Sequence, residues 1–215
     1  MSTADDLNAP PPPEGVGESR VERKRGQRVN RILDATAEVL GRQGVMRFSL
    51  EEVAERLDVT KGSLYHYFPS KDELVISAVE TLAGRIMVEL RAAVNQEHAS
   101  QTAKLRSLLA KQLSVVVWDY PASVELFTLR EPAEAAVRVK ALRADHDALF
   151  RAVIDDGIAT GEFHLVSTAA SLDCMYSSIN MSPLWIRRGN RTVAKRQIED
   201  LVETLLMLVG VVPQQ

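Results

Sequence analysis

Apolar residues recur at spacings of three and four along most of the chain, which is the pattern of amphipathic helices. In the first such stripe Ile32, Val39 and Leu40 share one face, and Gly44 stands where that helix should stop. Strand-like alternation of apolar and polar residues is scarce. The pattern therefore predicts an all-α protein of about nine helices, which after the first lie at about 50–57, 60–68, 71–95, 101–118, 121–130, 133–160, 168–187 and 192–210.

Three helix starts carry recognisable capping signals. Ser49 with Glu52 and Ser70 with Glu73 are capping boxes, in which the serine oxygen accepts the glutamate amide and the carboxylate reaches back. Thr60 is a good N-cap for a short helix between them. Two short helices joined by a tight turn form a helix-turn-helix, whose second helix can lie in the major groove of DNA.

The second of these helices has two distinct faces. Leu64 and Phe68 are four residues apart and share the inner face. The outer face is polar and aromatic, and it includes Gly62, which costs roughly 1 kcal/mol of helix propensity but lets a groove wall approach the backbone. Lys71 lies in the first turn of the next helix, where the helix dipole favours an anion such as phosphate. The residues predicted to contact DNA bases or phosphates are Ser49, Thr60, Lys61, Gly62, Ser63, Tyr65, His66, Tyr67 and Lys71.

Charge is distributed unevenly along the chain. The net charge of −3 gives no general indication of nucleic-acid binding, but residues 20–71 carry eleven Lys and Arg against seven Asp and Glu. Residues 1–19 are acidic and proline-rich, and we expect them to be disordered. The basic residues at 20–31 are either a solvated tail or an arm that touches phosphates or a minor groove, and the sequence leaves both open.

The segment from Phe48 to Leu74, "FSLEEVAERLDVTKGSLYHYFPSKDEL", resembles the DNA-binding signature of the TetR/AcrR family of bacterial transcriptional regulators. This chain departs from the family pattern at Asp58, where glycine is usual, and at Tyr67, where histidine is frequent. The resemblance implies an all-α homodimer with an N-terminal DNA-binding domain and a divergent C-terminal domain that binds a small molecule. It also implies repression that the small molecule relieves.

The last helix bears an apolar stripe and becomes apolar all round near its end, "LLMLVGVV". Such a helix must be covered on more than one side, and a partner subunit packing as a four-helix bundle is the favoured cover. Ordinary core packing within one chain is the alternative. The residues predicted at the dimer interface are Trp185, Ile198, Leu201, Val202, Leu205, Leu208 and Val209.

A ligand cavity is predicted from apolar stripes on the middle helices. His146 lies within such a stripe, and Asp173 occupies a similar position on a later helix, where a buried carboxylate would need a partner for which His146 is one candidate. Ordinary core packing is the alternative for these residues. The tail "SPLWIRRGNRTVAKRQIEDLV" is similar to TetR-type regulators of lipid or sterol breakdown that sense acyl-CoA thioesters. The predicted ligand-contacting residues are Trp118, Phe127, His146, Phe150, Asp173, Met175 and Tyr176.

Other classes of protein are disfavoured by the sequence. It has no phosphate loop, no G-x-S-x-G or H-E-x-x-H motif and one cysteine, so we expect no catalysis, no metal and no cofactor. No apolar run is long enough for a membrane helix, and we expect a cytoplasmic protein. We predict a tail (1–19), a helix-turn-helix domain (20–71) and a ligand-binding and dimerisation domain (72–215). The expected function is repression by a homodimer bound to a double-stranded operator and released by a small-molecule effector. The alternatives are an activator or a DNA-binding protein without ligand control.

Overall fold

The computed structural model describes residues 20–96, 98–122 and 133–211. The described residues contain eight α-helices and no strand, so the prediction of an all-α fold is confirmed. The predicted tail 1–19, Phe127 and the predicted helix 121–130 beyond Ala122 lie outside the described residues. The helices are α1 Arg20–Gln43, α2 Leu50–Arg56, α3 Lys61–Tyr65, α4 Lys71–Val94, α5 Gln101–Ser114, α6 Ala133–Ala159, α7 Thr168–Met181 and α8 Arg191–Leu206.

Several helices end in tighter or wider turns than the sequence predicts. A π-helical turn, Val115–Asp119, follows α5, and a 3₁₀ turn, Ser182–Leu184, follows α7. The second change falls at Pro183, which has no N–H group with which to continue a helix. Another 3₁₀ turn, Met207–Val209, ends α8, and Gly210 stops it with a φ of +83°. The helical stretches were thus predicted better than their ends.

The basic stretch at 20–31 is helical. It forms the first three turns of α1. Residues 20–27 are all exposed, and the first buried residue of the helix is Ile32. It is therefore an exposed helical extension of α1 rather than an unstructured tail. At its other end α1 stops as predicted, with Gly44 at a φ of +79° and its N–H donating to the Leu40 carbonyl at 2.9 Å.

Helix α4 joins the N-terminal helices to the rest of the protein. It packs on α1 on one side and on α5 and α6 on the other. Helix α5 lies among α4, α6 and α8, and its four leucines are completely buried: Leu105, Leu108, Leu109 and Leu113. A close approach occurs at Gly157 of α6, where an added Cβ would lie 2.0 Å from the ring of Phe163.

The apolar stripe of α8 faces the chain's own core. Ile198, Val202, Leu205 and Val209 are each less than a tenth exposed. Because α8 packs against α5 and these residues belong to the main core cluster, they are core residues of the single chain rather than surface available to a partner, which corrects the prediction of an interface for them. The exposed apolar residues here are Met181, Leu184, Trp185, Met207 and Leu208, while Leu201 is half-buried.

A charged clasp links α6 to the beginning of α4. The Arg138 guanidinium donates to both carboxylate oxygens of Glu80, at 2.6 and 2.5 Å, and to both oxygens of Glu73, at 3.1 Å each. Next to it Val139 and Ile76 form a small buried pair, separate from the main core cluster. This end of α6 is therefore attached to the first turns of the helix that follows α3.

Candidate nucleic-acid interface

Helix α3 is fixed to the protein by its predicted cap and its predicted inner face. The Thr60 hydroxyl oxygen accepts a hydrogen bond from the Ser63 N–H at 3.3 Å and lies 3.0 Å from the Ser63 hydroxyl. Leu64 is 1% exposed and Phe68 is 7% exposed, within the same core cluster as α1. The helix is shorter than predicted, since it ends at Tyr65, but Phe68 still bonds back to the Leu64 carbonyl at 3.0 Å.

The outer face of α3 is open to solvent. Lys61, Gly62, Tyr65 and His66 are exposed, whereas Ser63 and Tyr67 are half-buried. A Cβ added to Gly62 would meet nothing closer than the Thr60 hydroxyl oxygen at 3.7 Å, and its φ is not positive. The fold itself therefore does not require glycine at this position, which leaves an external surface approaching the backbone as a reason for it.

The capping box predicted at Ser49 does not form. Ser49 is the N-cap of α2 but makes no side-chain cap bond, and its hydroxyl donates instead to Glu51 Oε2 at 2.9 Å. The Glu52 carboxylate accepts both its bonds from the Gln43 side chain, at 2.9 Å each. At Ser70 the first half of the box does form, because the hydroxyl oxygen accepts from the Glu73 N–H at 3.1 Å. The Glu73 carboxylate, which would form the second half of the box, accepts hydrogen bonds from Arg138 instead.

Lys71 is anchored within the domain. Its ammonium donates to the Phe48 carbonyl at 3.4 Å and lies 5.4 Å from the centre of the Phe48 ring. The side chain is nevertheless exposed, as is that of Ser70 beside it. These contacts place a positive charge between the starts of α2 and α4, where a phosphate was predicted.

Two features of this region were missed from the sequence. Glu51 forms an ion pair with Lys61, ten residues further along, and this contact across the turn has no local sequence signal. The interaction with Lys61, reinforced by the Ser49 hydroxyl, lowers the pKa of Glu51 to about 2. Asp58 adopts a φ of +53°, a left-handed conformation that glycine adopts most easily, which explains the glycine usual at this turn in related sequences.

The predicted ligand residues of the C-terminal part are only partly brought together. The His146 ring lies 5.0 Å from the ring of Phe150 and 5.5 Å from that of Tyr176, and its Nε2 is 3.1 Å from Gln112 Oε1. Burial lowers the pKa of His146 to about 4. The Tyr176 hydroxyl donates to Asp147 Oδ1 at 3.2 Å, and burial and this carboxylate raise its pKa. Met175 is also buried.

Two other predicted ligand residues lie apart from this cluster. Asp173 is exposed, so it is not the buried partner of His146, and that role falls to Gln112 of α5. Trp118 stacks under the Arg191 guanidinium at 5.6 Å and lines a polar cleft of about 570 Å³ that includes Arg42 and Lys111. The helical stripe placed His146 on a buried face, as the structure has it, but did not identify the helix that faces it.

Helix α3 is short and capped, follows a tight turn, buries its apolar face and exposes a row of hydrogen-bond donors. This arrangement defines a helix-turn-helix DNA-binding protein. Comparison with known proteins agrees with this class. Residues 32–78 match the model of bacterial regulatory proteins of the tetR family, and residues 98–209 match that of the tetracyclin repressor-like C-terminal domain. The chain belongs to the TetR family, and it is a DNA-binding transcriptional regulator, not an enzyme.

Similar proteins extend over most of the chain. The HTH-type transcriptional repressor KstR of Mycolicibacterium smegmatis is 30% identical over 185 residues, which are 84% of this chain and 87% of that protein. A tetR-family regulatory protein from Rhodococcus RHA1 superposes with a TM-score of 0.69 at 21% identity, covering 86% of this chain and 98% of its own. AibR in complex with isovaleryl coenzyme A and operator DNA gives 0.69 at 19% identity, covering 86% and 100%. No described helix is long and apolar enough to cross a membrane.

Proposed function

We propose that this protein is a repressor that binds a pseudo-palindromic operator as a homodimer and is released by a small, largely apolar ligand. The observation that carries the proposal is the outer face of α3, which presents Lys61, Tyr65 and His66 to solvent while Leu64 and Phe68 are buried. Lysine and histidine can donate to base edges, and tyrosine hydroxyls can donate to phosphate oxygens. The repressor role is supported by the name of its relative KstR.

The dimer is supported by the exposed surface of α7 and α8. These helices run antiparallel, because Ser171 near the start of α7 donates to the Leu208 carbonyl at the end of α8 at 3.1 Å. Exposed apolar side chains occupy both ends of this pair, Met207 and Leu208 at one and Leu184 and Trp185 at the other. A two-fold axis across the helices would bring opposite ends of two copies together and cover both patches.

An acyl-CoA thioester is the ligand class that we propose to test first. AibR, whose fold is similar, has a structure with isovaleryl coenzyme A and operator DNA, and another relative is the fatty acid metabolism regulator protein of Bacillus subtilis. The C-terminal helices suit a mostly apolar ligand, since among their described side chains the buried polar ones are few and include Gln112 and His146. Ligand binding would favour a dimer whose α3 helices are wrongly spaced for half-sites about 34–36 Å apart.

The experiment is fluorescence anisotropy with labelled DNA from upstream of the protein's own gene, measured over a range of salt concentrations. We expect tight binding at low salt, a steep loss of affinity as salt rises, and release by acyl-CoAs but not by coenzyme A alone. A random DNA duplex of the same length is the control for specificity. No preference for upstream DNA over random DNA would contradict the proposal, and specific binding that no acyl-CoA weakens would contradict the ligand class alone.

A further inference from the structure

One carboxylate holds two of the residues predicted to contact DNA. Glu51, in the first turn of α2, forms an ion pair with Lys61 at the start of α3 and accepts the Ser49 hydroxyl at 2.9 Å. Both Lys61 and Glu51 are exposed, with side chains 49% and 64% accessible. The free protein therefore satisfies a lysine and a serine of its own DNA-facing surface with an internal anion.

The ion pair has little structural value by itself. Exposed pairs of this kind contribute little to stability, because water and salt screen them and both side chains lose freedom. It also diverts the Ser49 hydroxyl from the cap position of α2, where a bond to the backbone would stabilise the helix. An arrangement that gives up a helix cap for a screened ion pair is better explained by what the surface binds.

We propose that Glu51 is an affinity-setting residue, an internal counter-ion that the DNA backbone must displace from Lys61 and Ser49. The inference rests on the proposed function, since it concerns the surface assigned there to DNA. In the free protein the charge of Lys61 is already neutralised, so its approach to a phosphate adds little net neutralisation. The carboxylate also stays beside the duplex and repels its phosphates. Glu51 thereby keeps the affinity for DNA lower than the row of donors would otherwise give.

Two measurable consequences follow from this arrangement. Replacing the carboxylate with an amide of the same shape frees the charge of Lys61, so each subunit should neutralise about one more phosphate. The slope of log K against log salt should then become steeper by about 0.9 per subunit. Loss of a screened ion pair corresponds to a change of about two- to fivefold per subunit, so a dimer should bind roughly 4- to 25-fold more tightly at low salt.

The test compares Glu51→Gln with Glu55→Gln in the full chain. Glu55 lies one turn further along α2 and is also exposed, but it contacts neither Lys61 nor Ser49. The two variants lose the same charge from the same helix, so Glu55→Gln reports the general electrostatic effect. We expect Glu51→Gln to increase affinity and salt slope by at least twice as much as Glu55→Gln. Equal effects of the two variants, or weaker binding by Glu51→Gln, would overturn the inference.

The wild-type protein separates this inference from the proposed function. If wild-type protein shows no preference for upstream DNA, the proposed function fails before either variant is considered. If it binds specifically and the two variants behave alike, only the role of Glu51 fails. Thermal unfolding of both variants shows whether each is folded, and we expect both to be, because the two side chains are exposed.

Discussion

Lowering the pH from about 7 to about 5 should destabilise the folded protein by about 2 kcal/mol through His146 alone. Burial lowers the pKa of His146 from its ordinary 6.5 to about 4, so in this window the unfolded chain takes up a proton that the folded chain does not. The stability that neutral His146 provides is therefore present above pH 6.5 and lost as the pH falls toward 4. Each unit of difference between the pKa of the unfolded and the folded state corresponds to about 1.4 kcal/mol of unfolding free energy. The full loss is therefore about 3 kcal/mol, of which about 2 kcal/mol is reached at pH 5.

The assay is urea unfolding at both pH values and one protein concentration, with His146→Gln as the test variant. Glutamine does not titrate and can still bond to Gln112, so the variant should lose about 2 kcal/mol less stability than wild type between the two pH values. His164→Gln, which removes an exposed histidine, is the matched control variant. A His146→Gln protein as sensitive to pH as wild type would refute the assignment of a buried neutral histidine.

Three other predictions concern packing, the clasp and the DNA-facing surface. Gly157→Ala should destabilise the protein by about 1–3 kcal/mol in urea unfolding, because its Cβ would overlap a phenylalanine ring, whereas Gly84→Ala, with open space around it, should stabilise by about 0.5–1 kcal/mol. Arg138→Met should lower the free energy of unfolding by about 1–2 kcal/mol in the same assay, because it removes charge-assisted hydrogen bonds of a side chain that is only one-third exposed. No change would show that the clasp is not formed in solution. In binding assays on operator variants, replacing His66 should change the preferred sequence, while replacing Lys71 should weaken all sequences alike, and the reverse pattern would contradict their assigned roles.

The sequence predicted best those features whose partners lie within one helical turn. The caps at Thr60 and Ser70 formed because each hydroxyl oxygen accepts from a backbone N–H only three residues further along the chain. At Ser49 the same signal produced no cap: the hydroxyl donates to the Glu51 carboxylate, its oxygen accepts no cap bond from the backbone, and the Glu52 carboxylate accepts from Gln43. Helix ends were predicted less well, since they depend on contacts made by neighbouring helices.

Tertiary partners could not be read from periodicity. A stripe of apolar residues shows which face of a helix is buried, but it does not show what covers that face. His146 was correctly placed inside, but its partner Gln112 is 34 positions earlier, on a helix whose orientation the sequence does not specify. For the same reason the stripe of α8 was assigned to a partner subunit when it lies in the chain's own core. Arg138 reaches carboxylates 58 and 65 positions away, which no local pattern indicates.

The extension at the start of α1 has a consequence for how order depends on surroundings. Residues 20–27 are exposed and carry four of the basic side chains, so no buried apolar side chain holds these two turns in a helix. So short a helix is marginal in water, and repulsion between its like charges weakens it further. Its helix–coil balance therefore responds to electrostatic potential: a nearby polyanion relieves the repulsion and lengthens α1, while its removal lets the first turns fray. Folding of this segment would therefore be coupled to any association with an anionic surface.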